Sequence, residues 1–197
     1  MATRLAVEFK SQCQGLIVLD AVEGIALKSL EAGERSAIAI PRRFRLVEDA
    51  IKYATSTSHH GHFSASISIP DQLIPHPEGG FMWRTNIIET SPYWKGWFLG
   101  LSETFLSLAS PKLLILAGVD NLDTPLSAGH MQGKYQLVVL SSVRAGHFVQ
   151  EDAPGQTAAV IVTFLQRIIA RDASAKPGGL SAKEVIALHA RLKHGTT

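Results

Sequence analysis

One histidine stands where a general base is expected. His147 follows a glycine after an apolar run, in the segment RAGHFVQEDAP. Imidazole exchanges its proton near neutral pH and therefore serves as acid or base in many active sites. A carboxylate usually orients such a base. Carboxylates follow two other apolar runs: Asp20 comes directly after GLIVL, and Asp120 and Asp123 come after LLILAG. These residue types predict acid–base chemistry at His147.

The apolar runs themselves predict the elements that position these groups. Three short continuous runs are typical of buried parallel strands, and the amphipathic segment 154–171 predicts a long helix. Strands that alternate with helices favour right-handed crossovers on a parallel sheet. Polar groups gather at the carboxyl ends of such strands, so the acids and His147 are expected at one edge. The three predicted strands are GLIVLD (15–20), KLLILAG (112–118) and YQLVVL (135–140).

Other segments predict smaller elements. Residues 44–56 have apolar positions at helical spacing, and a short helix before them is predicted to end at Gly33. Residues 55–80, rich in Ser, His, Pro and Gly, predict an irregular excursion. FMWRTNI predicts a strand, and SPYWKGWFLGLSETFLSLAS predicts one helix capped by Ser91. Three large aromatic residues of that helix lie at helical spacing, which favours packing over ligand recognition. They are Trp94, Trp97 and Phe98.

The nucleophile that His147 would serve is not evident. An α/β hydrolase places its serine on a strained turn, written G-x-S-x-G, and the 197 residues contain no such motif. Ser36 and Ser127 lack the glycine frame and the preceding strand. Ser11 comes before Asp20 but lies in a segment that predicts a helix, and Cys13 is no better placed.

Composition excludes several other classes of function. The chain is 46% hydrophobic and 18% charged, which is typical of a folded globular protein. A net charge of +2, without a basic stripe, argues against nucleic-acid binding. No apolar run approaches the length of a membrane helix. With Cys13 as the single cysteine no internal disulfide forms, and we expect a cytoplasmic or nuclear protein. The cluster HHGH (59–62) fits no standard zinc spacing and predicts a solvated loop, so no metal or other cofactor is expected.

Several longer segments resemble the protein phosphatase methylesterase 1 family, between about residues 16 and 170. The segments GHMQGKYQ and YWKGWFLGLS carry the specific part of this resemblance, whereas LLILAGVD and the Gly-His pair are shared by many hydrolases. The resemblance implies the C-terminal half of an α/β-hydrolase fold. It also implies a carboxylesterase that demethylates the C-terminal leucine of the protein phosphatase 2A catalytic subunit. The other matching segments are LDAVEGIAL, FRLVEDAIKYA, SASISIPDQL, WRTNIIETSP, PKLLILAGVDNLDTPLSA and GHFVQEDAP.

The same resemblance implies roles for individual residues. Asp20 stands where the family has the acid of a Ser-Asp-His triad, and His147 stands where it has the base. Met131 and Gln132 match a segment near the peptide groove of the family, with a surface turn around a buried methionine as the alternative. The implied substrate and partner is the methylated tail of the phosphatase catalytic subunit, without a cofactor.

The usual position of the catalytic acid in α/β hydrolases leaves a second choice of acid open. It favours Asp120 or Asp123, because both follow the penultimate strand. Asp and Asn also favour turns and helix caps, which is the competing role for this pair. The family resemblance instead favours Asp20, one strand earlier.

The elbow of the family, G-H-S-M-G-G, has no counterpart in this sequence. MATRLAV overlays the residues that follow the family's serine, with Ala2 and Thr3 in place of two glycines. One hypothesis is therefore a truncated esterase that is inactive alone; the other is a non-catalytic relative that binds the phosphatase. We expect a partial hydrolase domain over 1–172, a cap-like excursion at 55–92 within it, and a tail helix over 173–197.

Overall fold

The computed structural model describes most of the chain. It covers residues 1–38, 40–57, 61–118, 122–140 and 146–175, without the side chains of 31–38, 62 and 174–175. The strands are β1 Leu16–Leu19, β2 Leu73–Pro75, β3 Phe81–Trp83, β4 Lys112–Leu116 and β5 Gln136–Val139. The first helices are α1 Ala2–Glu8, α2 Glu23–Ile38, α3 Val47–Ser56 and α4 His62–Ser68. The later helices are α5 Ser91–Phe98, α6 Leu101–Ser107, α7 Thr124–Met131, α8 Val149–Asp152 and α9 Pro154–Ala175. Short 3-10 turns occupy Pro70–Gln72 and Ile87–Thr90.

A parallel sheet in the order β1-β4-β5 forms the centre of the fold. Leu16 pairs with Lys112 at the start of β1, and Leu116 pairs with Val139 at the end of β5. All three strands lie within the runs that the sequence predicts, and their parallel pairing confirms the predicted α/β class. Their carboxyl ends therefore meet at one edge of the sheet.

Strand β4 is buried on both faces. Leu114 and Leu116 pack on one side in a cluster with residues of α1, α6 and α7. Leu113 and Ile115 pack on the other side against α8 and α9. None of the four is more than 1% exposed. Because successive strand residues face opposite sides, a continuous apolar run is what a two-sided position requires. Each such side chain contributes about 1.5–3 kcal/mol relative to an exposed one.

A third cluster of buried residues surrounds the antiparallel hairpin of β2 and β3. Ala65 and Ile69, one helical turn apart, place α4 in this cluster beside α3. The prediction of an irregular excursion over 55–80 is therefore wrong for the described residues. Burial of this apolar pair outweighs the weak helix propensity of the serines around it. The buried members are Phe44, Ala50, Ala54, Ala65, Ile69 and Leu73.

Three predicted helix boundaries are also wrong. The segment 91–107 forms two helices, because Gly100 adopts a left-handed backbone with φ 75° between α5 and α6. Helix α2 continues past Gly33 to Ile38, since a glycine inside a helix is costly but tolerated. The cap of α5 is Thr90 rather than Ser91.

The last described helix extends beyond the predicted segment. Helix α9 ends at Ala175, past both the predicted helix end at 171 and the proposed domain limit at 172. Most of the predicted tail helix, residues 176–197, lies outside the described part of the chain. Within the described part, no helix is both long enough and apolar enough to cross a membrane.

Ionisation of Tyr135 at alkaline pH lowers the free energy of unfolding of this core. Its hydroxyl donates to the Leu126 carbonyl oxygen at 2.9 Å. Burial, and then the negative charge of Asp123, raise the pKa of Tyr135 from 10.0 to about 12. Since the folded pKa lies above the unfolded value, this stabilisation is complete below pH 10 and is lost as the pH rises towards about 12.

Tyr135→Phe should therefore reduce the fall in unfolding free energy across that pH window. The lost hydrogen bond should cost about 1 kcal/mol at neutral pH. Urea titrations at a series of alkaline pH values measure both effects. Tyr93→Phe is the matched control, because Tyr93 is 65% exposed. Parallel pH profiles for Tyr135→Phe and the unmodified protein would contradict the assignment.

Candidate functional site

Two of the residues singled out in the sequence meet at the carboxyl edge of the sheet. His147 Nδ1 lies 2.8 Å from Asp20 Oδ2, although 127 positions separate the residues in the chain. The Asp20 side chain is 7% exposed and that of His147 is 52% exposed. A buried carboxylate beside a half-exposed imidazole is the arrangement in which a carboxylate orients a base.

The Asp20 carboxylate is held by the backbone of the neighbouring strand. Its other oxygen, Oδ1, accepts a hydrogen bond from the Ala117 amide at 2.9 Å. The Asp20 amide donates to the Ile115 carbonyl oxygen at 2.7 Å, which extends the β1–β4 ladder by one residue. Asp20 itself adopts a positive φ of 44°. Aspartate is among the few residues that tolerate this conformation, which turns the chain away from the sheet.

A second carboxylate anchors the loop that carries His147. Asp152, at the end of α8, accepts the Gly146 amide through Oδ2 at 2.5 Å. Its Oδ1 accepts the Gly61 amide at 2.8 Å and the Ser64 hydroxyl. A Cβ on Gly61 would lie 2.8 Å from that oxygen, so a larger residue there would displace the Asp152 carboxylate. Asp152 thereby joins the histidine loop to the start of α4.

A cleft of about 640 Å³ opens beside the Asp20–His147 pair. One wall is the start of α2, where Val22 and Ile25 contribute, and the other is the inner face of α5. Apart from Asp20 and His147, the side chains that line it are almost all apolar, with Ser29 and Thr57 supplying hydroxyls. The cleft can therefore hold an uncharged, largely apolar group against the imidazole.

For the aromatic residues of α5 the sequence favours packing over ligand recognition, and that preference stays a prediction. Trp94, Trp97 and Phe98 all line the cleft, and Trp97 is 47% exposed. Helix α5 has no buried residue, because it packs on α2 rather than on the sheet. The Trp94 ring is fixed by its Nε1–H, which donates to the Thr90 hydroxyl oxygen at 2.7 Å.

Curated relatives match this part of the chain closely. The protein phosphatase methylesterase 1 of Yarrowia lipolytica is 50% identical over 156 residues, which are 78% of this chain and 36% of the relative. The Emericella nidulans protein of the same name is 45% identical over 76% of this chain and 38% of its own length. That of Schizosaccharomyces pombe is 41% identical over 78% and 45%. Over this span, the chain belongs to the protein phosphatase methylesterase 1 family. It covers between about a third and a half of the length of these relatives.

Solved structures agree on the fold. An E-2-(acetamidomethylene)succinate hydrolase superposes on 83% of this chain with a TM-score of 0.64 and 17% identity, which covers 62% of that hydrolase. A Mycobacterium tuberculosis esterase superposes on 83% with a TM-score of 0.62 and 19% identity, which covers 58% of the esterase. At such identities the likeness shows the α/β-hydrolase fold alone. No protein-family model matches the chain.

The alternative acids occupy different positions. Asp120 lies outside the described residues. Asp123 is the N-cap of α7, where its Oδ1 accepts the Leu126 amide at 2.9 Å. Its Oδ2 accepts the Ser102 hydroxyl at 2.6 Å and the Gly24 amide at 3.2 Å. Asp123 does not line the cleft, and its described contacts connect α2, α6 and α7.

The methylesterase-like segment GHMQG lies at the end of α7. Met131 is 89% exposed, so the alternative of a buried methionine is wrong. Gln132 is the C-cap of α7 and lines a separate depression of about 280 Å³. Neither residue lines the cleft beside His147. In the cluster HHGH, His59 and His60 lie outside the described residues.

Sequence reasoning misses two carboxylates that hold the site together. Asp152 is one, although its segment EDAP is conspicuous in the sequence. Glu23 is the other: it accepts the Gly100 amide at 2.8 Å and the Ser102 amide at 2.9 Å, which fixes the break between α5 and α6. Both bind donors more than 75 positions away, so no local pattern marks them.

Asp152→Ala should destabilise the fold and loosen the histidine loop. It leaves the Gly61 and Gly146 amides and the Ser64 hydroxyl without this acceptor, which should cost about 3 kcal/mol of unfolding free energy. Chemical denaturation measures the loss, and hydrogen exchange should accelerate at the two amides. Asp172→Ala is the control, since Asp172 pairs with the adjacent Arg171 in a largely exposed position. An equal loss in both variants would contradict the anchoring role.

Proposed function

We propose that this chain supplies the acid and the base of a Ser-Asp-His carboxylesterase. Its substrate is the C-terminal leucine methyl ester of the protein phosphatase 2A catalytic subunit. The carrying observation is the 2.8 Å contact between His147 and Asp20 at the mouth of an apolar cleft. The names and identities of the relatives support the type of ester.

In this proposal the two side chains divide the work. Asp20 accepts the Nδ1 proton of His147, which fixes the tautomer that leaves Nε2 basic. Nε2 takes the proton of the attacking serine and then delivers it to the departing methanol. Water attacks the acyl-enzyme by the same route in reverse. The Asp20 carboxylate stabilises the imidazolium formed in each step.

The proposal requires a serine from outside these 197 residues, supplied either by upstream sequence or by a second polypeptide. The 197 residues hold no G-x-S-x-G motif, and no serine follows a predicted strand within such a glycine frame. Backbone amides beside that serine would stabilise the oxyanion. The mechanism requires no metal or other cofactor. It also implies that the chain alone does not turn over the ester.

The cleft suits a leucine methyl ester because it is apolar and close to the imidazole. Burial of a leucine side chain against Trp94, Trp97 and Phe98 would contribute about 1.5–3 kcal/mol of binding. The methyl ester carries no charge, so a buried carboxylate beside the cleft does not repel it. The demethylated product carries a new negative charge near Asp20, which favours its release.

The activity test restores the serine half. A chimera joins the upstream part of the Yarrowia lipolytica relative to this chain and is assayed on a phosphatase-tail peptide bearing the leucine methyl ester. We expect methanol release by the chimera and none by the chain alone. His147→Ala in the chimera should lower kcat by about 10⁴-fold or more. His76→Ala is the control, because His76 lies outside the cleft. Full activity of the His147→Ala chimera would refute the assignment.

Nitrogen NMR on the chain alone tests the same pair without the serine. We expect His147 protonated on Nδ1 in its neutral form, and a mixture of tautomers in Asp20→Asn. The tautomer ratio distinguishes a carboxylate that orients His147 from one that only stabilises the fold. The same tautomer ratio in both proteins would argue against Asp20 as the acid.

A second function, phosphatase binding without catalysis, is favoured by the exposed end of α7. Met131 projects an apolar side chain that is 89% exposed, in a segment that resembles one near the peptide groove of the family. Exposed methionines suit protein contacts, because the thioether is flexible and apolar. The absence of an elbow motif from these residues is compatible with this role.

Met131→Glu should weaken retention of the chain by the immobilised phosphatase catalytic subunit without loss of stability. A pull-down at physiological salt, together with a thermal melt, measures both. Phe63→Glu is the matched control, since Phe63 is 77% exposed on another element, α4. If the unmodified chain is not retained, or both variants bind equally well, this second function fails.

A further inference from the structure

A depression of about 430 Å³ lies at the end of the sheet opposite Asp20 and His147. The starts of β4 and β5 and the C-terminal half of α9 surround it. Four of the described residues that line it are cationic, and none of the described ones is acidic. The four are Lys112, Lys134, Arg167 and Arg171.

Carboxylates within the described residues balance little of this charge. Arg171 pairs with Asp172 at 2.9 Å. Arg167 donates to the neutral Gln136 side chain at 3.1 Å, which fixes its guanidinium at the rim. Lys134 also borders a neighbouring depression that contains an acidic residue, but no described carboxylate lies within ion-pair distance of it.

Lys112, at the start of β4, is the buried cationic residue of this lining. The residue is 5% exposed, and its ammonium donates to the carbonyl oxygens of Leu108 and Ser110. Burial, and then the charge of Lys134, lower the pKa of Lys112. Carbonyl oxygens solvate an ammonium without cancelling its charge. Lys134 and Arg167, which form no ion pair with a described carboxylate, therefore leave an excess of positive charge at the depression that a bound anion would relieve.

The number and type of the cationic side chains favour a phosphate over a carboxylate as the bound anion. A phosphate monoester carries about −1.5 to −2 charges and three acceptor oxygens, whereas a carboxylate carries one charge. Arg167 and Arg171 are four positions apart on α9 and so present two guanidiniums on one face. One guanidinium group can donate two parallel hydrogen bonds to two oxygens of the same phosphate. A nucleic acid would need a longer basic stripe than this chain has, and the volume lies within the range of small-ligand sites.

We propose that this depression binds a small phosphate-bearing ligand, held by Lys134, Arg167 and Arg171. The site is independent of the proposed esterase chemistry, because it lies at the other end of the sheet. Nothing in its test involves ester hydrolysis, so either proposal can fail alone.

The test titrates the full chain with inorganic pyrophosphate in a calorimeter at constant ionic strength. We expect saturable binding, weakened about tenfold or more by the double substitution Lys134→Gln, Arg167→Gln. Both side chains are exposed, so the fold should survive their loss. The control is Lys52→Gln, Arg45→Gln, which removes the same charge from exposed positions outside the depression and should change the affinity less than about twofold.

Amide NMR shifts locate the bound probe. Pyrophosphate should perturb Gly133, Lys134 and Gln136 and leave the amides of α5 unchanged. Three results would overturn the proposal. They are no saturation with the unmodified chain, equal weakening by the control pair, and binding of a polyglutamate peptide with none of pyrophosphate.

Discussion

The two-sided burial of β4 is the constraint on which the rest of this structure depends. Its four apolar residues are almost wholly excluded from water, so helices must cover the strand on both sides. β1 and β5 are registered against it by the parallel ladders. The ends of these strands are thereby fixed in space. Hydrogen bonds with Ile115 and Ala117 then hold Asp20 at the end of β1.

Buried and half-buried carboxylates connect the helices and loops that surround the sheet. Asp152 connects the histidine loop to α4, and Glu23 connects α2 to the break between α5 and α6. Asp123 connects α2, α6 and α7. Each accepts backbone or hydroxyl donors that would otherwise be left without partners at helix starts and loops. Hydrogen bonds to a charged acceptor are stronger than neutral ones, so single residues can hold distant elements together.

The two ends of the sheet differ in chemistry. The carboxyl end holds a carboxylate, an imidazole and an apolar cleft, which suits an uncharged, largely apolar group. The amino end holds four cations around a small depression, which suits a compact anion. The separation follows from the parallel arrangement, because every strand presents its start at one edge and its end at the other. Loops at the two edges can therefore carry unrelated binding sites on one core.

Local features of the sequence, namely continuous apolar runs and helical periodicity, predicted the three parallel strands and the long helix α9. His147 was singled out by its position after a glycine and an apolar run, whereas the choice of Asp20 over Asp120 and Asp123 came from the family resemblance. Tertiary structure alone decided that Asp20 lies 2.8 Å from the imidazole, whereas Asp123 caps α7. It also decided that the aromatic residues of α5 line the cleft, since the break at Gly100 depends on a contact with Glu23 from 77 positions away. A local sequence pattern does not predict such contacts, because they form only when the packed sheet brings distant segments together.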